Sequence, residues 1–292
     1  MKRFESPWWI NRAFTAAAVV SLVFGILLTL VNLYGLTQPI RKPGLGVSDQ
    51  TQLRFIPEDV WTYDQSLEAL AALDKWRPPS ELARQANRVV NQSLVHVSWQ
   101  EVDPVAYRQL VPIWENYFLW AIGKFSGLPQ FERYHYANYK RNLERGIGIC
   151  GDASTILSSV LDEYDVPNRI ISFDGHVVVE YEREDGVAEL IDPDFGVELR
   201  MPLDKLQAYP EKAKERYLAA GYSEKEAETV KKAFQTRYHG YENTYDFMKK
   251  RYLFEEVSYW LKWTLPIFLI FLSGLYIVLL KNYRAGGSVD EK

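Results

Sequence analysis

Two stretches without a charged side chain, one near each end of the chain, constrain the fold before anything else does. They cover residues 13–36 and 263–280. A helix rises about 1.5 Å per residue, so the first reaches roughly 36 Å and the second about 27 Å, against a bilayer core of about 30 Å. Trp8 and Trp9 precede the first stretch and Tyr34 lies near its far end; Tyr259, Trp260 and Trp263 mark one boundary of the second, and Tyr276 and Tyr283 lie near the other. Amphipathic rings favour the membrane interface, so both stretches read as transmembrane helices. Pro266 falls in the first turn of the second stretch, where a missing N–H costs little. Lys2 and Arg3 also suit a signal peptide, but the apolar run is longer than a normal signal core and no small-residue cleavage pattern follows Leu36. A buried soluble helix is the alternative for the second stretch. Charge-free helices of that length with aromatic belts at both ends are uncommon in small domains.

Two spans place both termini on one side. The terminal flanks carry Lys2, Arg3, Arg12, Lys281, Arg284 and Lys292, and the inner flanks an equal number: Arg41, Lys42, Lys249, Lys250, Arg251 and Lys262. Long translocated domains largely escape the charge rule and the first span usually dominates. The expectation is a two-pass protein of the cell (inner) membrane, with the lipid bilayer as its first partner. Residues 1–12 and 281–292 are then cytoplasmic, and the domain between the spans is extracytoplasmic.

That domain has about 210 residues, enough for one compact core. The 292-residue chain is 47% hydrophobic and 25% charged, an ordinary globular balance. A formal net charge of -4 gives no basic footprint for nucleic acid. Residues 37–57 read as a linker, with Pro and Gly within 41–49. Residues 58–145 read as helical, with helices over 68–75, from Pro78-Pro79-Ser80 to about Val95, and over 104–124. In the last of these, Leu110, Ile113, Phe118 and Ile122 form a stripe expected to pack in the core. Residues 201–262 return to helix, with a capping box at Ser223 and Glu226, and the final helix runs toward the second span.

The pattern changes over residues 146–200. Gly146-Ile147-Gly148-Ile149-Cys150-Gly151-Asp152 is a tight turn opening a helix over 153–164, which Pro167 ends. Residues 169–173, 176–182 and 187–191 then read as strands of a meander, punctuated by Asp174-Gly175 and Asp185-Gly186. Cys150 is the only cysteine, so it forms no intramolecular disulfide. At a helix N-terminus its thiolate is stabilised by the dipole and by free N–H groups, and the glycines on both sides leave room for a substrate. His176 begins one strand and Asp192 ends the next. Thiol, imidazole and carboxylate make a complete cysteine triad. Strand parity tests it: a three-residue loop at Glu184-Asp185-Gly186 pairs Arg183 with Val187 and puts Asp192 opposite Val178, on the His176 face. A two-residue loop would send Asp192 to the other face.

These residues resemble the transglutaminase-like superfamily, within the broader papain-like group of thiol enzymes. The matching elements are Gly148-Ile149-Cys150 opening a helix, Pro167-Asn168-Arg169 entering a strand, His176 on the next strand and Ile191-Asp192-Pro193 on the third. Val178 stands where the family usually has an aromatic residue, and Leu190 where it often has Trp. These differences alter pocket walls rather than the triad. The resemblance covers about 50 residues and implies an α+β fold in which the Cys helix packs on an antiparallel sheet. It also implies Cys150 as nucleophile, His176 as general base and acid, and Asp192 as its orienter, with no cofactor.

Three function classes follow. One is a cysteine hydrolase, protease or acyltransferase acting through a thioester on an amide of a protein or envelope substrate. The second is an inactive scaffold of the same fold in a membrane complex, whose helical zones suit membrane-protein partners. The third, a purely structural anchor, fits the triad least. Asp192-Pro193-Asp194 lacks His or Cys at metal-ligand spacing in the sequence and reads as turn chemistry, so no metal is expected. His96, His135 and His239 have no motif around them and receive no role.

Overall fold

A computed structural model describes residues 8–46, 53–55, 60–98 and 101–287. Parts of the expected terminal segments (residues 1–7 and 288–292) and of the expected linker (47–52 and 56–57) lie outside the described residues. In chain order the first elements are α1 (Trp8–Gly35), β1 (Leu53–Phe55), α2 (Tyr63–Ala71), α3 (Pro79–Ser93), β2 (Val95–Val97), α4 (Tyr117–Phe125), α5 (Pro129–Glu132) and α6 (Tyr139–Arg145). The middle zone holds β3 (Ile147–Gly148), α7 (Cys150–Glu163), β4 (Asn168–Phe173), β5 (His176–Glu182), β6 (Ala188–Asp192) and β7 (Val197–Glu198). Then follow α8 (Leu203–Ala208), α9 (Pro210–Ala219), α10 (Glu224–Phe234), β8 (Tyr238–Tyr241), α11 (Thr244–Phe247) and α12 (Lys249–Gly287). The fold is α+β, with an antiparallel sheet and helices.

The chain divides into two compact units. One comprises Met1–Gln38, Val111–Glu132 and Phe254–Lys292; the other comprises Pro39–Leu110 and Arg133–Leu253.

Within the first unit, α1 and α12 contain segments long and apolar enough to cross a membrane, Arg12–Gly35 and Lys249–Asn282. Only 6% and 11% of their most apolar windows are buried, whereas the core helix of a soluble protein would be mostly buried. Phe24, Leu27, Phe268 and Phe271 all point outward. The two helices meet at Gly25, where a Cβ would come within 3.0 Å of the Pro266 carbonyl oxygen and of Ile270. Small residues at such a crossing let backbones approach. Helix α12 begins at Lys249, so Pro266 lies inside it rather than in a first turn. A proline at that position frees the carbonyl four residues earlier, on Lys262. That oxygen is taken up by Asn32 Nδ2 and by the Tyr117 hydroxyl at 2.9 Å. The Lys262 ammonium in turn donates to the Glu115 carbonyl at 2.7 Å.

The helix expected over 104–124 is cut to Tyr117–Phe125. The Asp103 carboxylate accepts the N–H groups of Val105 and Ala106, Arg108 adopts φ 53°, and Pro112 follows, so the chain turns instead of winding. Asn116 then caps α4 through the N–H groups of Phe118 and Leu119. Leu110 and Ile113 are exposed, and Phe118 and Ile122 only half-buried, so the expected core stripe does not form.

The second unit is built on a five-stranded antiparallel sheet in the order β7-β6-β5-β4-β8. Helix α7 carries Ala153, Ile156, Leu157, Val160 and Leu161 at helical spacing, all buried. They pack with Val179, Tyr181 and Ile191 of the sheet and with α3. Burying each such aliphatic side chain contributes about 1.5–3 kcal/mol, enough to fix the helix on the sheet. The opposite sheet face, with Ile171, Phe173, Val178 and Leu190, is covered by α8 to α10 through Leu206, Tyr217, Val230 and Phe234. Both faces are therefore buried, which is why residues 176–181 of β5 have no exposed member.

Two strands lie in zones expected to be helical. Helix α3 stops at Ser93, and Val95–Val97 form β2, central to a small sheet β1-β2-β3. The β-branched run favours a strand, and the Val95 N–H reaches the Gly146 carbonyl at 2.9 Å. Tyr238–Tyr241 add β8 to the edge of the main sheet beside β4.

Candidate functional site

Cys150 is the first residue of α7, and the cap above it explains the local sequence. Asp152, at the third helical position, accepts the Ile149 N–H through Oδ2 at 3.0 Å. A Cβ on Gly148 would fall 2.8 Å from the Asp152 Cβ, so glycine is needed there to admit the cap. The space expected to admit a substrate at this glycine is filled by Asp152. Helix and sheet are tied at the same level, because the Ser154 hydroxyl donates to the Val177 carbonyl at 3.1 Å. The sulfur is thereby held at the start of β5, where His176 stands.

The hairpin from β5 to β6 sets the partner. Glu182 pairs with Ala188, the Arg183 N–H bonds the Val187 carbonyl, and Gly186 takes φ 78°. The three-residue loop places Asp192 on the His176 face, and His176 Nε2 lies 2.6 Å from Asp192 Oδ2. The Cys150 sulfur lies within 4.8 Å of a nitrogen of the same ring, and with Nε2 turned to Asp192 it is Nδ1 that is left for it. Asp192 is fully buried and His176 nearly so, while Cys150 is only partly buried. The fold thus brings together all three residues singled out in the sequence.

Electrostatics favour a charged imidazole. Burial alone pushes the His176 pKa down; the Asp192 charge and hydrogen bond, with a smaller contribution from Cys150, overcome it and hold the value well above the ordinary one. The other Asp192 oxygen accepts the N–H groups of Asp194 and Phe195, at 2.9 and 3.2 Å. Tyr217 donates its hydroxyl to Oδ2 at 2.6 Å. Phe195 and Phe234 face the His176 ring edge-on, with centroids 5.6 and 5.9 Å away, and restrict its rotation.

Two more histidine–carboxylate pairs form here, one next to the sulfur and one at the cap of α7. The parallel pairing of β2 with β3 sets His96 beside Gly148, and His96 Nδ1 lies 2.7 Å from Asp194 Oδ1. Both residues are buried. Asp194 also brings a carboxylate oxygen within 4.8 Å of the Cys150 sulfur and of a His176 ring nitrogen. The sequence spacing gave no hint of this, because the His and Cys partners come from distant strands and a helix. His135 Nδ1 bonds the free oxygen of the helix cap, Asp152 Oδ1, at 2.6 Å. The alternation Leu94-Val95-His96-Val97 was a strand signal for His96, and the Asp at the third position of α7 was a cap signal for Asp152. Nothing local marks His135 or Tyr217. His239 lies exposed on β8, away from this cluster in the sheet order. Arg169 of the Pro-x-Arg element ion-pairs with buried Glu180 on the neighbouring strand.

No family model, curated protein or solved structure matches the chain.

Proposed function

We propose that the chain is a membrane-anchored thiol enzyme of the transglutaminase-like kind, acting on an amide bond of a protein or envelope substrate. The observation that carries the reading is the His176 ring, with Asp192 on Nε2 at 2.6 Å and the Cys150 sulfur within 4.8 Å of a ring nitrogen. A thiol so paired transfers its proton to the imidazole, and the thiolate attacks the substrate carbonyl carbon. The tetrahedral intermediate's oxygen is stabilised by first-turn N–H groups of α7, that of Cys150 being nearest the sulfur. Collapse expels the amine, which leaves with the proton from His176, and a Cys150 thioester remains. Water, or an amine in a transferase, gives its proton to His176 and displaces the acyl group, restoring the thiol. Asp192 keeps the ring in the required tautomer and stabilises its charged form.

In this reading α1 and α12 anchor the chain in the cell membrane with both termini in the cytoplasm. The second unit then meets its substrate on the outer side. Hydrolysis is preferred over transfer because water is always available as the acceptor. The rate of Cys150 alkylation against pH, in wild type, His176→Ala and Asp192→Asn, tests the mechanism. Wild type should react fastest, and both variants should be slowed at least tenfold near neutral pH. Equal rates in all three proteins across the pH range would replace the enzyme with an inactive scaffold of the same shape.

A further inference from the structure

A thiol triad accounts for Cys150, His176 and Asp192, and leaves Asp194 over. Its carboxylate is buried, yet it stands within 4.8 Å of both the sulfur and the His176 ring. Beside a nucleophilic thiolate a second carboxylate is a burden, because like charges disfavour one another at short range. A cation removes that conflict. We infer that Cys150 Sγ, His176 Nδ1 and an Asp194 carboxylate oxygen form a three-ligand site for Zn²⁺, whose binding shuts off the thiol.

The ligand set selects the metal. Thiolate and imidazole are too soft for Mg²⁺ or Ca²⁺, and three mixed N, O and S ligands with an open fourth position suit tetrahedral zinc. Zinc bonds of about 2.0–2.3 Å place ligand atoms about 3.3–3.8 Å apart, so atoms within 4.8 Å need only a small side-chain adjustment. One thiolate and one carboxylate neutralise the dication, which lowers the cost of holding it in a buried place. Cys150 is only partly buried, which lets water take the fourth position.

The supporting shell is already in place. Metal-bound histidine typically holds a carboxylate on its other nitrogen, and His176 Nε2 has Asp192 at 2.6 Å. Asp194 is steadied by His96 at 2.7 Å through Oδ1, and Asn91 Nδ2 donates to the Asp194 carbonyl at 3.1 Å. A metal on Sγ and Nδ1 removes nucleophile and base together. The binding geometry stands without the enzyme reading; the loss of turnover rests on it.

The test uses the purified full chain in detergent, freed of metal by chelation. Zn²⁺ is titrated in competition with a chromophoric chelator, and Co²⁺ serves as a spectroscopic probe. The expected result is one metal per chain and a thiolate-to-cobalt charge-transfer band. Cys150→Ala should abolish the band and weaken Zn²⁺ binding at least 100-fold, and Asp194→Asn should weaken it at least tenfold. Zn²⁺ should also block Cys150 alkylation, and a chelator should restore it. Cobalt bound without the sulfur band, or wild-type affinity in both variants, overturns the site. Fast alkylation of metal-free protein together with no metal binding would defeat this inference alone. Metal binding with an unactivated thiol would keep the site and defeat the enzyme reading.

Discussion

The Tyr217 hydroxyl and the His176 ring share one oxygen of Asp192, each at 2.6 Å from Oδ2. With the Asp194 and Phe195 N–H groups on Oδ1, four donors converge on a carboxylate that no solvent reaches. Burial, reinforced by the Asp192 charge, pushes the Tyr217 pKa well above its ordinary value, so the phenol keeps its proton and remains a donor. A carboxylate fixed in this way cannot swing from the histidine, which is what an orienting group requires.

Tyr217→Phe should therefore loosen the site without dismantling it. Losing one hydrogen bond to a buried charged group costs about 1.5–3 kcal/mol. Urea unfolding of the full chain should show a loss in that range. Cys150 alkylation should slow less than in Asp192→Asn, which removes the charge itself. Equal rates in wild type and Asp192→Asn would mean that Asp192 orients nothing of consequence.

The raised His176 pKa makes a stability statement with a definite sign. Burial opposes the imidazolium, and the Asp192 charge and hydrogen bond outweigh it. A histidine whose value rises on folding contributes stability that is fully present below its unfolded value of about 6.5. That contribution disappears as pH climbs through the raised folded-state value. The stability gap between wild type and Asp192→Asn should be widest near pH 5–6 and narrow on the alkaline side. A gap that widens with pH would reverse the assigned charge state.

How far the site could be read in advance follows from where its information lies. The relation of His176 to Asp192 is local: a hairpin with Gly186 at positive φ has odd loop length, and strand parity does the rest. The placing of Cys150 at a helix start was equally legible, from the turn before it and Pro167 after it. His96 was not, because a parallel pairing of β2 with β3 has no hairpin to announce it, and α3 could have run on through Val95. Asp194 read as turn chemistry because its partners come from β2, β5 and α7. The helix expected over 104–124 is shortened for a local reason. Asp103 and Asn116 each offer the backbone a competing hydrogen bond, so apolar spacing alone did not decide the boundary.

The proline in α12 gives a prediction about helix pairing. The Lys262 carbonyl is orphaned by Pro266 and met by Asn32 from α1 and by the Tyr117 hydroxyl. Hydrogen bonds between helices in bilayers are worth roughly 0.6–2 kcal/mol. Asn32→Leu should lower the thermal midpoint of the full chain in detergent by that equivalent, and Asn32→Gln should recover part of it. Pro266→Ala supplies the missing N–H to the same carbonyl, so it should weaken the effect of Asn32→Leu. Additive losses in the double variant would remove Asn32 from the proline's compensation.

Topology decides which substrates the thiol can meet, and it can be read by chemistry on one surface position. Cys150 is the only native thiol, so Cys150→Ala gives a silent background in which any label reports an introduced cysteine. Ser223 is a poor place for that cysteine, because its hydroxyl caps α10 and such caps are worth about 1 kcal/mol. Glu215 is exposed on α9, and Glu215→Cys disturbs no cap. In the proposed topology, with both termini in the cytoplasm, this position would face outward. A membrane-impermeant maleimide should then label Cys150→Ala/Glu215→Cys in intact cells, once any outer envelope is permeabilised. A second cysteine at Lys2, in the same background, should be labelled only after lysis. The opposite pattern would turn the chain over and replace the envelope amide with a cytoplasmic one. Equal labelling of both positions before lysis would contradict a two-span anchor altogether.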